Sequence, residues 1–356
     1  MRKSDSVIHA MRRGRDVKCK YESKVGRVSK PVIALTMGDP AGIGPEIAVS
    51  ASINAEVRTL CTPVIVGDAH RLRVASEILQ ADASIKPIGS ESIAHLDPQA
   101  VNVIQVGELS RSLPFGKLSA EAGEAAFQYI KCATDLAVSK KIAAICTGPI
   151  NKEALQLADR DFPGHTELLA KLTRTPEVSM MLSSEKLKVI HVTTHVGLSE
   201  AISKIEPGIV ERTIRRGLQA LLQAGNSKAR VGVAAINPHA GEGGLFGAGE
   251  EETKIAPAIE KLREEGYDIT GPHPADTLFY LASRGDFDLV VAMYHDQGHI
   301  PVKLFGLEAG VNITVGLPVI RTSVDHGTAF NIAGTAKADP SSMVEAVKAA
   351  VNLAAH

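Results

Sequence analysis

The chain has 356 residues, 44% of them hydrophobic and 22% charged, which is the balance of a folded globular protein and excludes a disordered one. No apolar run reaches the roughly 18 residues that a membrane-spanning helix needs. The four cysteines form no C-x-x-C pair, which argues against a disulfide scaffold or a cysteine-based zinc finger and suits a reducing compartment. We therefore expect a cytoplasmic protein that does not enter a membrane.

Charge is distributed unevenly along the chain. Residues 1–30 hold ten basic and three acidic residues, a formal charge of +7, whereas the other 326 hold 29 basic and 37 acidic residues, a charge of −8. The acidic body argues against general nucleic-acid binding. The first 30 residues lack the apolar stretch of a secretory signal, and we expect them to form a basic, flexible tail that the chemistry does not need.

From residue 31 onward, short β-branched runs alternate with segments of helical apolar spacing. The runs predict buried strands at 31–36, 62–67, 101–106, 141–147, 187–194, 229–237, 287–294 and 310–316. The helical spacing predicts helices at 119–140, 206–225, 250–266 and 341–355, the last with Ser341 as its N-cap. This alternation indicates an α/β fold with parallel strands, in which ligands bind beyond the carboxyl ends of the strands.

Two strand-loop-helix segments are candidates for anion binding. Residues 36–46, TMGDPAGIGPE, place glycines before a helix that opens with Pro45, and exposed amides there can hold an anion. Their G-x-x-x-G-x-G spacing matches neither the dinucleotide fingerprint nor a Walker A loop, so a tight structural turn is an equal alternative. Residues 146–154, CTGPINKEA, carry Lys152, which can meet a phosphate or point into solvent.

Further polar residues follow the other predicted strands. His165 and Thr166 of PGHTELLA stand side by side at a helix start, where helix capping is the alternative to ligand binding. Lys303, Asn312 and Arg321 belong to successive elements and together suit a small anionic substrate.

Three histidines come after separate β-rich runs: His195 in TTH, His239 in NPHAGEGG and His295 in MYHDQGH. Imidazoles from three strand ends can share one divalent ion, although the long gaps between them equally suit unconnected polar residues. Asp276 and Asp296 lie nearby in the sequence as ligands, supporting groups or a general base.

These motifs together resemble the 4-hydroxythreonine-4-phosphate dehydrogenase family over roughly residues 31–356. The resemblance rests on TMGDPAGIGPE, TGPINKEA, PGHTE, TTH, NPHAGEGG, PADTLF, AMYHDQG, GVNITVGLP and IRTSVDHGTA, in this order. It implies metal binding by His195, His239 and His295. It implies substrate binding by five residues, namely His165, Thr166, Lys303, Asn312 and Arg321. It also implies a homodimer with the active site at the subunit interface.

The family is in turn similar to the β-decarboxylating dehydrogenases of isocitrate and isopropylmalate. That similarity implies a two-lobed α/β architecture with the active site in the cleft, here with lobes of about 31–145 plus 305–356 and of 146–304. Residues 326–340 resemble the adenosine-binding loop, so His326, Gly327, Thr328 and Asn331 are expected to bind NAD. Relatives often carry an acid where this chain has Asn331, and an amide there repels a 2′-phosphate less, so strict exclusion of NADP is not expected.

The resemblance implies an NAD- and metal-dependent oxidation of the C3 hydroxyl of a four-carbon acid phosphate. The wording of the motifs favours 4-phospho-D-threonate or 4-phospho-D-erythronate, with decarboxylation to dihydroxyacetone phosphate and CO2. The alternative is 4-phosphohydroxy-L-threonine, the substrate of pyridoxal phosphate synthesis. From other classes, a small-anion-binding protein or a metal-dependent phosphatase competes. Zn, Co, Mg and Mn all suit the site, and proton transfer falls to Asp276, Asp296 or Lys303.

Overall fold

A computed structural model describes residues 30–305 and 310–355, so the expected flexible tail at 1–30 lies almost entirely outside the described residues. Its β-strands form one continuous twelve-stranded sheet. The strands are β1 (Val32–Thr36), β2 (Thr62–Gly67), β3 (Ile85–Ile88), β4 (Val101–Gln105), β5 (Ala144–Thr147), β6 (Ser179–Ser183), β7 (Lys188–His191), β8 (Val231–Ala234), β9 (Ile269–His273), β10 (Leu289–Ala292), β11 (Val311–Val315) and β12 (Arg321–Ser323).

The strand order is β3-β4-β2-β1-β5-β12-β11-β6-β7-β10-β8-β9. The first six strands in this order run parallel, and so do the last four. Between the two sets, β11 is antiparallel to both β12 and β6, and β6 is antiparallel to β7. The expectation of a parallel sheet is therefore wrong at the centre, where the chain returns through β11 and β12.

Helices cover the sheet. They are α1 (Gly44–Ile53), α2 (Ala55–Leu60), α3 (Ala69–Ile78), α4 (Ala120–Val138), α5 (Lys152–Leu157), α6 (His165–Leu172), α7 (Leu198–Lys204), α8 (Pro207–Gln223), α9 (Ala256–Glu264), α10 (Ala275–Ser283), α11 (His295–Leu304) and α12 (Ser341–Ala354). Among the described residues, no helix is both long enough and apolar enough to cross a membrane. The α/β prediction is confirmed, while the division into two lobes stays a prediction.

Local signals explain where several helices begin. Pro45 lies in the first turn of α1, as predicted, where its missing N–H is not needed. Ser119 caps α4 by accepting a hydrogen bond from the Ala122 N–H. The prediction that Ser341 caps α12 is wrong, because Ser341 is already the first helical residue and donates its N–H to Oδ1 of Asp339.

Burial of the strands drives the packing. One apolar cluster extends from Ile33 and Leu35 on β1 to Val291 on β10, and α12 adds Val347 to it. All of these side chains are fully buried, which at about 25 cal/mol per Å2 is the main favourable term in folding.

Asp39, just after β1, is a carboxyl inside this packed layer. It is 1% exposed, and its Oδ1 accepts the Ala41 N–H at 2.8 Å. Its Oδ2 is buried and has no hydrogen-bond partner among the residues that the structure describes. Burial raises the pKa of Asp39 to about 6, against a smaller lowering by the Ala41 N–H and by Arg71. A folded-state pKa above the unfolded value means that stability is lost as pH rises.

Asp39→Asn is therefore expected to remove a pH-dependent loss of stability. The wild type should lose free energy of unfolding between pH 4 and pH 6, relative to the variant, and the difference should level off near 3 kcal/mol, an order-of-magnitude value. Urea unfolding from pH 4 to pH 8 measures this difference. Asp82→Asn, at an exposed position, controls for the loss of one charge. A difference that is constant across this range would contradict the assignment.

Candidate active site

The central strand β12 carries a buried guanidinium. Arg321 is 2% exposed, and its Nε and Nη2 donate to Oγ1 of Thr147 at 3.2 and 2.8 Å. Its Nη1 donates to Oγ1 of Thr314 at 2.8 Å and to Oδ1 of Asn312 at 3.4 Å. These partners come from β5 and β11, the two neighbours of β12, so the strand pairing itself places them.

No carboxylate forms a salt bridge with Arg321 within residues 30–305 and 310–355. Desolvation lowers the pKa of Arg321 to about 10, which still leaves it charged at neutral pH. A buried charge without an opposite charge is costly unless a ligand supplies one. The arrangement therefore fits an anionic ligand.

His165, the first residue of α6, lies beside this guanidinium. Burial, and then the nearby Arg321 charge, lower the pKa of His165 well below its usual range, so the ring is neutral at neutral pH. Its Nε2 is buried and has no hydrogen-bond partner among the described residues. A ring nitrogen without a hydrogen-bond partner, beside a guanidinium without a salt bridge, marks a polar pocket that a ligand can complete. Thr166 follows on the same helix and is half-buried.

Two of the predicted metal ligands converge. The ring centroids of His195 and His295 are 5.8 Å apart, and both residues line a cleft of about 420 Å3 together with Tyr294 and Asp296. Burial lowers the pKa of His195, which favours the neutral imidazole. Oδ1 of Asp296 lies 2.7 Å from Nδ1 of His295 and orients that ring.

Behind His295 lie two further histidines that the sequence analysis did not assign to the site. His299 stacks on His295 with a centroid separation of 3.6 Å, and His191 lies 4.6 Å from His299. Burial lowers the pKa of His299 to about 4 and that of His191 to about 3, with neighbouring imidazoles adding to both shifts. The imidazoles of His299 and His191 are therefore neutral at neutral pH, and they pack beneath His295.

The third predicted ligand, His239, lies apart from this pair. It sits in a left-handed turn, with φ of 51°, and its ring is 6.1 Å from that of Phe246. Within the described part of the chain, no group of three or more His, Cys, Asp or Glu side chains is spaced to hold a metal ion. One copy of the chain therefore supplies two converging imidazoles, and His239 is presented on a separate loop.

The candidates for proton transfer lie in different surroundings. Lys303 forms an ion pair with Asp325 at 3.3 Å, which fixes the position of its ammonium. Asp296 is largely exposed beside His295. Asp276 is exposed in the first turn of α10, where its Oδ1 accepts the Thr277 N–H at 2.8 Å. The structure thus joins Lys303 to Asp325 and Asp296 to His295.

The predicted cofactor residues lie on the segment between β12 and α12. His326, Gly327 and Asn331 are exposed, and Thr328 is buried. The carbonyl of Thr328 accepts the Ile43 N–H at 3.0 Å, which ties this segment to the start of α1. The motif 36–46 and the segment 326–340 are therefore packed together, although 280 or more residues separate them in sequence.

Sequence reasoning missed Thr147, Thr314 and Asp325. Thr314 had a usable signal, because it follows Asn312 by two residues on one strand and so shares its face. Thr147 ends a predicted strand inside a motif already selected. Asp325 lies inside the selected motif IRTSVDHGTA, but nothing in the sequence connects it with Lys303.

The fold and the site define an α/β protein with a buried guanidinium that suits an anionic ligand and with a cleft lined by His195 and His295. A family model described as "Pyridoxal phosphate biosynthetic protein PdxA" matches residues 59–350. The chain belongs to this family, as the motif resemblance implied.

Named relatives agree with this assignment. A D-threonate 4-phosphate dehydrogenase from Cupriavidus necator is 60% identical over 324 residues, which cover 91% of this chain and 97% of the relative. A 4-hydroxythreonine-4-phosphate dehydrogenase from Trichlorobacter lovleyi is 43% identical, with 92% and 98% covered. The crystal structure of a 4-hydroxythreonine-4-phosphate dehydrogenase from Burkholderia phymatum is 57% identical, with a TM-score of 0.82 and 91% and 98% covered. The chain is an oxidoreductase of this dehydrogenase family.

Inorganic phosphate is expected to stabilise the protein through Arg321. At ten times the dissociation constant, a ligand that binds only the folded state adds about 1.4 kcal/mol, so Tm should rise with phosphate concentration. Arg321→Met should abolish this rise. Arg215→Met is the matched control, because the Arg215 guanidinium is already paired with Glu211 and Glu265. Equal phosphate stabilisation of the wild type and Arg321→Met would rule out Arg321 as the anion site.

Proposed function

We propose that this protein oxidises the C3 hydroxyl of 4-phospho-D-threonate or 4-phospho-D-erythronate with NAD and decarboxylates the product to dihydroxyacetone phosphate. The observation that carries the proposal is the buried Arg321, which forms no salt bridge within residues 30–305 and 310–355, together with a ring nitrogen of His165 that has no hydrogen-bond partner there. A four-carbon acid phosphate has two anionic ends, and this pocket offers what one of them requires.

The choice of substrate branch follows the relatives. A relative named for D-threonate 4-phosphate is 60% identical to this chain. A solved structure and a relative that are both named for 4-hydroxythreonine 4-phosphate are 57% and 43% identical. Both substrates have a C3 hydroxyl and a C4 phosphate and differ at C2, which carries a hydroxyl or an amine. The family likeness supports the shared chemistry, and the difference in identity favours the hydroxy acid.

NAD fits the segment at 326–340. Exposed His326, Gly327 and Asn331 present a polar face, and buried Thr328 anchors the segment to α1. Asn331 can hydrogen-bond a ribose hydroxyl, and as a neutral residue it does not repel a 2′-phosphate. When bound, NAD accepts the hydride that leaves C3.

A divalent ion fits the imidazole pair in donor chemistry. His195 and His295 supply imidazole nitrogens, with Asp296 beside His295, a set that suits Zn or Co, while added carboxylates admit Mg or Mn. His239 lies on another loop, so we propose that His239 of a second copy completes the site in a homodimer. Such an ion supplies a Lewis acid for the substrate oxygens.

With NAD bound, the C3 hydride would pass to the cofactor, and the hydroxyl proton would pass to a base among Asp276, Asp296 and Lys303. The product is a 3-keto acid, whose C1–C2 bond breaks with the electron pair staying on C2, and CO2 leaves. Protonation at C2 gives dihydroxyacetone phosphate. The anionic groups of the substrate are held, with C3 directed toward the cofactor, by the five proposed substrate-binding residues, namely Arg321, His165, Thr166, Asn312 and Lys303.

The substrate assignment predicts a clear order in a side-by-side assay. With NAD and a divalent metal, absorbance of NADH should rise faster with 4-phospho-D-threonate or 4-phospho-D-erythronate than with 4-phosphohydroxy-L-threonine, at equal concentrations. CO2 and dihydroxyacetone phosphate should form in the same amount as NADH. A preference for 4-phosphohydroxy-L-threonine would show that this is the substrate and would contradict the proposal. Release of free phosphate without NADH would indicate a phosphatase.

The shared site predicts complementation between two inactive variants. His239→Ala and His295→Ala should each be inactive, but coexpression should restore about a quarter of wild-type activity, since half of the dimers are mixed and each regains one site. His195→Ala coexpressed with His295→Ala is the matched control. In the proposed dimer, one chain supplies both His195 and His295 to each site. Every site of this mixed dimer therefore lacks one ligand, and the pair should stay inactive. Equal recovery in both pairs, or none in either, would contradict the shared site.

A further inference from the structure

We infer that Glu46 is a positioning residue for the cofactor: its buried carboxylate holds residues 326–336, here called the cofactor segment, in the shape that binds NAD. This inference rests on the proposed use of NAD. It gives a role to Glu46, the last residue of TMGDPAGIGPE. The sequence analysis predicted only that this motif forms a tight turn or an anion-binding loop.

The contact itself is specific. Glu46 lies in the first turn of α1 and is 1% exposed. Its Oε2 accepts the Gly334 N–H at 2.8 Å, and its Oε1 accepts the Ala336 N–H at 2.8 Å. Both carboxylate oxygens are therefore used on backbone donors of one distant segment. A carboxylate that receives backbone N–H groups in this way forms charge-assisted hydrogen bonds, which are stronger than neutral ones.

The same motif also contacts the other end of the cofactor segment. The Ile43 N–H donates to the Thr328 carbonyl at 3.0 Å. Gly42 approaches so closely that a Cβ at its position would stand 2.8 Å from both Cβ and O of Thr328. A side chain at residue 42 would therefore displace the cofactor segment. The motif TMGDPAGIGPE thus contacts the cofactor segment at two places, near residue 328 and near residues 334–336.

A third contact to the cofactor segment comes from Phe115. A Cβ at Gly334, which has φ of +76°, would stand 2.9 Å from ring atoms of Phe115, so this ring packs directly on the Gly334 backbone. The guanidinium of Arg71 lies 3.4 Å from the centroid of the same ring. Phe115 and Glu46 therefore both contact the backbone at Gly334, and this fixes the backbone without using any exposed side chain of the segment.

This arrangement leaves the outer face of the segment free. His326 and Asn331 are exposed, while the fixing contacts fall on backbone amides and on buried Thr328. A segment that is ordered before the cofactor arrives loses less entropy on binding, so its affinity is higher. We therefore expect Glu46 to act on cofactor affinity and not on the chemical step.

Glu46→Gln tests the carboxylate with little change in volume. An amide offers only one acceptor oxygen, and its NH2 group would face an N–H donor, so one of the two hydrogen bonds is lost. Glu46→Asp keeps the charge and shortens the reach, and it serves as a second variant if the amide variant fails to fold.

Glu251 offers a matched control in the same chain. It is 2% exposed, and its Oε1 accepts the Ile236 and Asn237 N–H groups at 2.9 and 2.8 Å. Glu251 therefore also accepts hydrogen bonds from backbone N–H groups, but in another segment, the one that carries His239. Glu251→Gln should loosen that segment and leave cofactor binding unchanged.

The experiment combines NADH titration by fluorescence with hydrogen exchange on the full-length protein. Glu46→Gln should weaken NADH binding and raise KM for NAD about tenfold, with kcat changed by less than about twofold. The Gly334 and Ala336 amides should exchange faster in this variant. In Glu251→Gln, faster exchange should be confined to residues near 236 and 237, and NADH affinity should match the wild type.

The outcomes separate the inference from the proposed function. A wild type that fails to bind NADH would overturn the proposed cofactor, and the inference with it. A wild type that binds NADH as tightly as both Glu46 variants would overturn the inference alone. Equal weakening by Glu46→Gln and Glu251→Gln would also overturn it, because the effect would then reflect general loss of stability.

Discussion

The constraint on which the site depends is a positive charge buried at the centre of the sheet. Removing a guanidinium from water costs several kcal/mol by order of magnitude, and here hydroxyl and amide oxygens of Thr147, Thr314 and Asn312 answer its hydrogen bonds without neutralising its charge. The oxygens come from β5 and β11, the strands on either side of Arg321. The geometry of the pocket is therefore set by the pairing of β12 with β5 and β11.

Around this centre, the proposed cofactor-binding residues and His239 lie on two separate loops. Each of these loops is held by a buried carboxylate: Glu46 holds the segment after β12, and Glu251 holds the loop with His239. Both carboxylates accept hydrogen bonds from backbone N–H groups of the loop that they hold. The chain thus separates residues that bind ligands from residues that shape the loops presenting them.

Sequence reasoning recovered the local features well, because they depend on neighbouring residues. The strands at β1, β2 and β10 follow from their β-branched runs, and Pro45 marked the start of α1. The reversal at β11 was not predicted, since a buried strand reads the same in either direction. The Asp325 contact with Lys303 and the Glu46 contacts were missed for another reason, which is that each joins residues far apart in sequence and leaves no periodic signal. The motif resemblance supplied the grouping of His165 with Arg321, which spacing alone did not.

The position of β12 has a consequence for how the molecule assembles during synthesis. This strand inserts between β5 and β11, and Arg321 lies 174 residues after its partner Thr147. The strands β1 to β5 can pair as soon as they leave the ribosome, but β5 then presents an open edge until residue 323 has been made. Closing so long a loop is entropically costly and slow. The anion pocket is therefore among the last parts to form, and a nascent chain lacking its final strand carries an unpaired edge in place of a binding site.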